Sequence, residues 1–276
     1  MIVPRQAQSA ATTAHHYDEL DPLYRDLWGE HVHHGLWQSG RETAAEAVVA
    51  LSDLVGATLG FGPGARLVDI GCGYGATARH FAGKGAVVTG LSLSAEQIAH
   101  APPQENVTLI VGDWLANGLP SARFDGAYAI ESSEHMVDKP AFFAEAARVL
   151  APGAPLVVCA WLAAERTPRW QVDHLLRPIC EEGSLPSMGT AAEYRAMAEA
   201  AGFETHSYRD ISAQVARTWT ICLGRFLAAF ATRSDVRAQV LGASNRRFAL
   251  SLPRLILAYR TGAMRYGLFR FDKPAS

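Results

Sequence analysis

From Arg66 onward, short apolar runs alternate with segments whose apolar residues recur at helical spacing. Continuous runs of Val, Ile and Leu are typical of parallel strands buried on both faces, and their alternation with helices predicts a doubly wound sheet. The seven predicted strands are Arg66 to Ile70, Val87 to Leu91, Val107 to Val111, Phe124 to Ile130, Pro155 to Trp161, Phe203 to Tyr208 and Arg265 to Phe271. The predicted fold class is therefore α/β, with a seven-stranded, mostly parallel sheet.

Helices are predicted between the strands, where cap residues precede helix-patterned segments. They start at Ala76, at Ala95 behind a Ser94 cap and at Pro140 behind an Asp138 cap, and another spans Ala191 to Ala201. The stretch from Val215 to Ala263 indicates two or more apolar helices that contain Phe226, Phe230, Leu255 and Leu257. A helical insertion is therefore predicted before the last strand.

The chain before the sheet is predicted to be a tail followed by lid helices. Met1 to Thr13 lacks periodicity, which predicts a mobile tail. Asp21-Pro22 is typical of a helix start, with Leu23, Tyr24, Leu27 and Trp28 on one face. Ser39 and Glu42 have capping-box spacing ahead of a helix that ends near Gly60. The predicted organisation is 1–60 for the tail and lid, 61–212 for the core, 213–263 for the helical cap and 264–276 for the last strand.

The run RLVDIGCGYGAT at 66–77 predicts a strand that stops in a glycine-rich turn and restarts as a helix. Gly71, Gly73 and Gly75 let the backbone turn sharply and approach a ligand, because no Cβ stands in the way. Free amides at the start of the next helix point toward the same place. The turn is therefore a candidate cofactor site.

The same turn also satisfies the dinucleotide pattern G-x-G-x-x-G/A through Gly71, Gly73 and Ala76. A nicotinamide or flavin site has an Asp or Glu roughly twenty residues further on, for the ribose hydroxyls. This chain has Leu91-Ser92 there. The sequence therefore disfavours a dinucleotide.

Six segments resemble class I S-adenosylmethionine methyltransferases, most closely the tocopherol and sterol C-methyltransferase group. They are YD at 17–18, WGEHVHHG at 28–35, DIGCG at 69–73, GLSLSAEQ at 90–97, GD at 112–113 and ESSEHMVDK at 131–139. The resemblance runs in order from about Tyr17 to Tyr208 and lapses between about Val215 and Met264. It implies a Rossmann-like methyltransferase fold with S-adenosyl-L-methionine as the cofactor.

The resemblance also implies a set of cofactor-binding residues at the strand ends and in the lid. They are Tyr17, His34, Asp69, Gly71, Cys72, Gly73, Ser92, Gln97, Asp113 and Trp114. Asp69 would serve the amino and sulfonium end of the cofactor. Asp113 would accept from the adenine amino group while Trp114 stacks on the purine. Ser92 departs from the commoner acid at the end of strand two, so Gln97 would share the ribose contact.

Three of these positions keep structural alternatives. Asp113 is also suited to cap its own loop, and Ser94 with Gln97 has capping-box spacing. Tyr17 either lies near the sulfonium, where a cation over its ring is favourable by about 1 kcal/mol, or is a plain core tyrosine. The sequence leaves both interpretations open for each.

Glu131, Glu134 and His135 form the densest ionisable cluster in the sheet half and are the candidate catalytic residues. Methyl transfer requires alignment, exclusion of water and, for some acceptors, removal of a proton. Histidine accepts a proton near neutral pH without a large pKa shift, so His135 is the first choice for the base, with Glu131 steering the cofactor or acceptor. The alternative is that Glu134 and His135 brace the following helix.

His31, His33 and His34 with Glu30 invite a metal hypothesis, because histidine is a common zinc ligand. No His-x-x-x-His helix or cysteine pair supplies the rest of such a site, so no metal is predicted. In the resembling family the matching segment covers the cofactor. Tyr17 to Trp37 is therefore predicted to be a lid that orders over bound cofactor.

Composition narrows the remaining classes. A chain of 276 residues with a formal net charge of −2 has no basic field to hold a nucleic acid. Cys72, Cys159, Cys180 and Cys222 lack metal-ligand spacing and suit free thiols in a reducing compartment. The sequence shows no secretory leader and no apolar run long enough to span a bilayer. A soluble cytoplasmic protein is expected, and homo-oligomerisation stays open.

The predicted function is S-adenosylmethionine-dependent methyl transfer to a mid-sized lipophilic or aromatic small molecule under the helical cap. An isoprenoid, a prenylated ring or another natural product would fit, and the methylated atom, C, O or N, stays open. Two alternatives remain: methylene transfer to an alkene, as in cyclopropane synthases, and a methyltransferase-like module that binds the cofactor without catalysis.

Overall fold

A seven-stranded sheet forms the centre of the computed structural model, which describes residues 1–27, 29–242 and 248–275, with backbone alone for 23–24, 26–27 and 248–250. The strands are β1 Arg66–Ile70, β2 Val87–Ser92, β3 Val107–Val111, β4 Gly126–Ile130, β5 Pro155–Ala163, β6 Glu204–Asp210 and β7 Met264–Asp272. Their order is β3-β2-β1-β4-β5-β7-β6. β7 runs antiparallel to β5 and β6, and the other neighbours are parallel. The predicted mostly parallel, doubly wound fold is confirmed.

Strand bounds agree with the sequence prediction to within a few residues. Phe124 makes only an isolated bridge to Leu150, so β4 begins at Gly126. Between Phe124 and Gly126, the Asp125 carboxylate accepts a hydrogen bond from the Arg66 backbone N–H at 2.9 Å. That bond ties the approach to β4 to the start of β1.

The helices flank the sheet and continue into the segments before and after it. They are α1 Ala10–Leu27, α2 Ala44–Leu59, α3 Ala76–Ala82, α4 Ala95–His100, α5 Lys139–Val149, α6 Arg169–Gln171, α7 Arg177–Glu182, α8 Ala191–Ala200, α9 Ser212–Val215, α10 Arg217–Thr232, α11 Ser234–Gly242 and α12 Phe248–Arg260. Val172–Leu176 form a π-helical turn between α6 and α7. The predicted caps hold: Ser94 accepts from the Gln97 N–H at the start of α4, and Asp138 accepts from the Ala141 N–H at the start of α5.

Each face of the sheet packs against its own apolar cluster. On one side α5 and α8 bury Phe142, Phe143 and Tyr194. On the other side α2 and α3 bury Leu51 and Phe81. Both faces of the central strands are therefore covered, which explains why these strands are continuous apolar runs.

The predictions for the N-terminal segment were wrong in two respects. The expected tail is anchored, because the Ile2 and Met188 backbones exchange hydrogen bonds of 2.8 Å. Helix α1 begins at Ala10 and continues through Pro22, so Asp21 is no helix start. The buried Asp21 carboxylate instead accepts hydrogen bonds from the Tyr74 hydroxyl at 2.5 Å and from Arg25 Nε at 2.9 Å. The hydrogen bonds of Asp21 to distant residues have therefore overridden the local helix-start signal. Of the residues predicted to form the apolar face, Trp28 lies outside the described residues.

The predicted cap of α2 was displaced by four residues. Thr43 caps the helix and forms a reciprocal capping box with Glu46. The Glu42 carboxylate accepts hydrogen bonds from the Gln38 and Ser39 backbone N–H groups, so that pair closes the preceding loop. Both pairs have the same spacing, and only the second lies against the apolar helix.

Helices α9 to α12 fill the interval between β6 and β7, as the predicted insertion required. Trp219 of α10 and Leu255 of α12 pack with Ile179 of α7 in a third apolar cluster. Leu257, predicted as one of the apolar residues here, is 45% exposed. Within the described ranges, every helix is too short or too polar to cross a membrane.

Removing the observed cap of α2 tests this account. We expect Thr43→Ala to lower the free energy of unfolding by about 1 kcal/mol, because an N–H at the helix start loses its acceptor. Ser39→Ala is the matched control, and it should change the free energy of unfolding by only a few tenths of a kcal/mol, about the size expected at a surface position without a cap. Urea denaturation measures both; equal losses would contradict the assignment of the cap.

Candidate active site

Three cavities meet at the edge of the sheet where the parallel strands end, which is where open α/β sheets bind ligands. The strand-end cavity, of about 650 Å³, is defined by Gly73, Ser92, Gln97 and Asp113. The glycine-turn cavity, of about 360 Å³, is defined by His31, Asp69, Cys72 and Tyr74. The cap cavity, of about 660 Å³, is defined by Trp161, Leu185, Trp219 and Leu255.

The glycine turn after β1 forms the floor shared by the strand-end and glycine-turn cavities. Gly71 has a φ of 81°, and a Cβ there would lie 2.3 Å from the Ser132 Cβ, so only glycine fits. Gly73 has a φ of 54°, and its nearest neighbour to an added Cβ is the Gln97 side chain at 3.9 Å. A side chain at Gly73 would therefore project into open cavity, not into protein.

Ser92 and Gln97 meet at the end of β2. The Ser92 hydroxyl donates to the Gln97 carbonyl oxygen at 3.1 Å, and both line the strand-end cavity. The Gln97 backbone N–H is capped by Ser94. The two interpretations of Gln97 are thus compatible, because its backbone serves the helix while its side chain faces the cavity.

Asp113 and Trp114 follow β3. Asp113 Oδ1 accepts from the Leu115 N–H at 2.9 Å, so the loop-cap alternative is realised, and the residue also lines the strand-end cavity. Trp114 is 2% exposed and donates from Nε1 to the Phe142 carbonyl at 3.2 Å. Both were predicted to hold adenine, and the structure fixes each with protein contacts at the cavity wall.

Asp69 and Cys72 border the glycine-turn cavity. Burial raises the pKa of Asp69 to about 7, although the Tyr128 hydroxyl donates to its Oδ2 at 2.9 Å. Burial likewise raises the pKa of the Cys72 thiol. Asp69 is therefore poised to ionise when a cation enters this cavity, since an opposite charge lowers the pKa of a carboxyl group.

Four residues line both the strand-end cavity and the cap cavity: Tyr17, Val32, Glu131 and His135. We call this place the junction. Val32, from the loop after α1, lines the glycine-turn cavity as well. A group passed between the cofactor side and the cap side must cross the junction.

The carboxylate of Glu131 accepts four hydrogen bonds. Oε1 accepts from the His34 backbone N–H at 2.6 Å and from the Tyr266 hydroxyl at 2.7 Å. Oε2 accepts from His34 Nδ1 and from Trp161 Nε1, at 2.9 Å and 2.8 Å. Tyr259 of α12 reaches the other ring nitrogen of His34, at 3.2 Å. The lid, the sheet and the cap are therefore joined around one carboxylate.

These contacts hold Glu131 ionised in an unusual backbone conformation. Burial alone would raise its pKa, but the charge and hydrogen bonds of His34 and the charge of His33 lower the pKa of Glu131 to about 2. Its φ of 56° is strained for a residue with a side chain. With all four donors in place, Glu131 has little capacity left to take a proton from a substrate.

The three histidines of the loop after α1 line two cavities, and His33 lines both of them. His34, predicted as a cofactor contact, lines the cap cavity, with its ring edge-on to those of Trp161 and Trp219. His31 and His33 line the glycine-turn cavity, and their facing ring nitrogens lie 3.2 Å apart. Across the part of the chain that the structure describes, no three His, Cys, Asp or Glu side chains converge as a metal site would require.

Glu134 is buried beside Glu131 and lines the cap cavity. Burial raises its pKa to about 8, with the charge of Glu131 adding to the shift and the Trp161 backbone N–H opposing it. Its other oxygen accepts from the Ser133 hydroxyl at 3.1 Å. At neutral pH Glu134 is thus mostly a neutral acid next to an ionised one.

His135 is half-buried at the junction. Its Nε2 lies 2.8 Å from the Tyr17 hydroxyl and its Nδ1 lies 3.4 Å from the Ser184 carbonyl. Burial, together with the positive charges of His16 and Lys139, lowers the pKa of His135 to about 3. The sequence-based expectation of an unshifted histidine was wrong, because it ignored the loss of solvent.

Lys139 is a residue that the sequence analysis missed. It is 2% exposed, and its Nζ donates to the Glu134 and Met136 carbonyls and to the Ser187 hydroxyl, at 3.1, 3.3 and 2.9 Å. It therefore secures the turn that carries Glu134 and His135. A cation at the first position of α5 opposes the helix dipole, and that mismatch was the available signal.

The strand order, the glycine turn and the joined cavities are those of a doubly wound α/β enzyme, with room for a nucleotide-like cofactor beyond the strand ends and for a second molecule under the cap helices. Residues 40–208 match the model of the methyltransferase domain family. The match covers more than half of the chain, so the chain belongs to that family. It is an S-adenosylmethionine-dependent small-molecule methyltransferase, as predicted.

Individual relatives agree with this assignment. A probable chloroplastic tocopherol O-methyltransferase of Oryza sativa subsp. japonica is 30% identical over 94% of this chain and 76% of its own length. The 27-O-demethylrifamycin SV methyltransferase of Amycolatopsis mediterranei is 33% identical over 76% of this chain and 80% of its own. A mycolic acid cyclopropane synthase solved with S-adenosylhomocysteine and CTAB has a TM-score of 0.85 at 22% identity, over 97% of this chain and 99% of that one. This last likeness shows the fold alone.

The cavities fit S-adenosylmethionine in shape and in charge. The strand-end and glycine-turn cavities share Gly71 and Gly73, so one elongated ligand can occupy both. Bare backbone at Gly73 leaves room for it. The hydroxyl of Ser92 and the amide of Gln97 suit a ribose, and Asp69 offers a carboxylate to a cationic end. The roles of these single residues stay predictions.

A branched side chain at Gly73 should prevent cofactor binding. We expect Gly73→Val to weaken S-adenosylhomocysteine binding at least about 100-fold from a micromolar Kd, because the side chain fills the cavity floor. Gly118→Val is the control, since Gly118 has a φ of 65° with nothing within 4 Å and lines none of the three cavities. Calorimetry on both folded variants measures the Kd for S-adenosylhomocysteine. Equal affinities would contradict the placement of the cofactor over Gly73.

The pKa of Glu134 predicts a pH-dependent stability. Its pKa is raised from an ordinary 4.5 to about 8, so the unfolded chain releases this proton first and the free energy of unfolding falls as the pH rises between those values. Buried histidines act in the opposite sense, but only below about pH 6.5, where unfolded histidine is protonated.

We therefore compare the wild type with Glu134→Gln, which imitates the neutral acid, between pH 6.5 and 8. The wild type should lose about 1.4 kcal/mol per pH unit relative to the variant near pH 6.5, and about half of that as the pH reaches the folded pKa of about 8. Denaturant unfolding across this range measures the difference, and Glu105→Gln, at an exposed position, should follow the wild type. Parallel curves for all three proteins would mean that Glu134 is already ionised.

Proposed function

We propose that this enzyme methylates a hydroxyl oxygen of a neutral, largely apolar ring compound that occupies the cap cavity. The junction carries the proposal. There the uncharged imidazole of His135 stands between the cavities that fit the cofactor and an apolar cavity of about 660 Å³. An acceptor hydroxyl at the junction would have a proton acceptor on one side and the methyl donor on the other.

The walls of the cap cavity support this class of acceptor. Trp161, Ile179, Leu185, Trp219 and Leu255 supply flat and branched apolar surface, which suits rings and prenyl chains. The ionised Glu131 at the junction disfavours an anionic acceptor such as a diphosphate. The rice and Amycolatopsis relatives are named for O-methylation of a tocopherol and of a rifamycin, which supports a hydroxyl-bearing acceptor.

S-adenosylmethionine, when bound, supplies an electrophilic methyl group and one positive charge. The chain itself must align the acceptor, exclude water and remove a proton. His135 can take that proton despite its low pKa, because a hydroxyl oxygen that is gaining a methyl group becomes a far stronger acid than an imidazolium. A low pKa also keeps His135 unprotonated and ready at every physiological pH.

Glu131 acts on this reaction through charge and position. Its carboxylate is ionised and saturated with donors, so it neither takes nor gives a proton. Its negative charge stabilises a positive charge at the junction, whether that charge stands on the cofactor side or on His135. Its four bonds also hold the lid loop against the sheet, which keeps water out.

We further propose that the reaction takes place in the cytoplasm, on a small molecule and not on nucleic acid. All four cysteines are free thiols, and three of them are buried, which suits a reducing compartment. The net charge of −2 offers no basic surface for a polynucleotide.

Turnover of methyl-labelled S-adenosylmethionine against an acceptor panel tests the function. The panel should contain prenylated hydroquinones, hydroxylated polyketides, unsaturated lipids, amines and diphosphates. We expect methyl ethers of the neutral hydroxyl compounds, identified by mass spectrometry and NMR. Products with a cyclopropane ring or a methyl group on a ring carbon would contradict O-methylation and indicate transfer to carbon. Cofactor binding without any turnover would favour the non-catalytic module.

Loss of the His135 ring should slow catalysis and spare the cofactor. We expect His135→Ala to lower kcat by about 100-fold to 10,000-fold with the S-adenosylhomocysteine Kd within a few-fold of wild type. The wild-type rate should show no acid limb near pH 6.5, because the pKa of His135 is about 3.

His16→Ala is the control, since His16 is a buried histidine that lines the cap cavity but not the strand-end cavity. It should change KM for the acceptor more than kcat. Activity of His135→Ala within a few-fold of wild type would assign His135 to structure.

A further inference from the structure

The hydrogen bonds of His135 identify which of its nitrogens carries the proton. Nδ1 faces the Ser184 carbonyl at 3.4 Å, and a carbonyl can only accept. In the neutral ring Nδ1 is therefore the N–H donor and Nε2 holds the lone pair. The Tyr17 hydroxyl, 2.8 Å from Nε2, must then donate to it. The tautomer follows from the network of partners.

This arrangement restricts how an acceptor can reach the base. The lone pair of Nε2 is taken up by Tyr17, so an acceptor hydroxyl cannot bond to it without displacing that phenol. The Tyr17 oxygen itself lies at the junction and lines both the strand-end and the cap cavities. A phenolic oxygen can accept one hydrogen bond while it donates another. The direct path from acceptor to His135 therefore leads through Tyr17.

We propose that Tyr17 is a catalytic residue that contacts the acceptor hydroxyl and relays its proton to His135, a role that rests on the proposed function of His135 as the base. As the acceptor oxygen bonds to the methyl group that S-adenosylmethionine would supply, the methyl–sulfur bond would break and leave its electron pair on the departing, neutral S-adenosylhomocysteine. The acceptor O–H bond breaks as well and leaves its electron pair on the acceptor oxygen. The proton passes to the Tyr17 oxygen while the proton of Tyr17 passes to His135 Nε2. Tyr17 ends as a neutral phenol, and His135 ends as an imidazolium beside Glu131.

The surroundings of Tyr17 favour a concerted relay. Burial, with the charges of Glu134 and Glu131, raises the pKa of Tyr17 far above its usual value, so a free phenolate is not populated. Both proton movements must therefore take place together. The ionised carboxylate of Glu131 stabilises the positive charge that arrives on His135.

Helix α1 positions Tyr17 for the relay and also lines the strand-end cavity through Thr13 and Tyr17. Asp18 Oδ1 accepts from the Ser94 hydroxyl at 2.5 Å, one residue after Tyr17. Thr13, one helical turn earlier, donates to the Ser184 carbonyl at 3.3 Å, the same carbonyl that faces His135. Ser184 has a φ of 53°, in the left-handed region. Docking of α1 thus brings together both partners that orient His135.

Three variants test the relay: Tyr17→Phe, His135→Ala and the double variant, assayed with the panel phenol of highest turnover. We expect Tyr17→Phe to lower kcat by about 100-fold or more, with KM and the S-adenosylhomocysteine Kd within a few-fold of wild type. The double variant should be no slower than His135→Ala, because both residues serve one proton path. Tyr194→Phe is the control, since it removes a buried tyrosine hydroxyl, bonded to Ser133, that lines none of the three cavities.

A second measurement needs no acceptor. Nitrogen-15 NMR of His135 in the S-adenosylhomocysteine complex should show a protonated Nδ1 and an unprotonated Nε2. Tyr17→Phe should move the Nε2 resonance to higher frequency, since the lone pair loses its donor. A protonated Nε2 in the wild type would overturn the relay whatever the acceptor.

The kinetic outcomes separate the relay from the function on which it rests. If His135→Ala is slow but Tyr17→Phe stays within a few-fold of wild type, His135 acts directly and the relay is wrong while the proposed function stands. If the two losses multiply in the double variant, the residues have separate roles and the relay is again wrong. If His135→Ala itself is nearly as active as wild type, the base assignment and the relay both fail.

Discussion

The buried carboxylate of Glu131 is the interaction on which the site depends. A charge out of contact with water is costly unless its hydrogen-bonding capacity is filled, and here donors from the lid loop, β5 and β7 fill it. Trp161 and Tyr266 face each other in the antiparallel pair of β5 and β7, so one step of the sheet delivers two of those donors. Whatever displaces one partner leaves a charge unpaired, and the lid, the sheet edge and the cap must respond together.

Much of the fold and part of the site could be predicted because the signals are local. The turn at Gly71 and Gly73 lies within the short run 66–77, and its positive φ angles favour glycine. Parallel strands end at one edge, so Ser92 and Asp113 could be placed beside that turn before any contact was known. The alternation of strands and helices could be predicted as well, because buried strands and amphipathic helices differ in the spacing of their apolar residues.

The rest of the site depends on contacts that no local pattern encodes. Glu131 meets His34, Trp161 and Tyr266 across 97, 30 and 135 residues of chain. Solvent exclusion, which is a property of the assembled cavity, moved the proton affinity of His135 away from the value that its residue type suggests. Where a local signal failed, as at Asp21, a distant hydroxyl had claimed the carboxylate that would have capped a helix.

The helical cap enters and leaves the sheet through adjacent, paired strands, with Asp210 of β6 opposite Gly267 of β7. The family match ends at residue 208, just before this segment begins. The cap helices also contact the rest of the chain at several places: Thr218 accepts from the Gly35 N–H and from the Trp37 indole, Arg254 pairs with Glu182, and Tyr259 reaches His34. Because one pair of neighbouring strands holds both ends of this segment, its helices can differ in length without any change in the order or register of the strands.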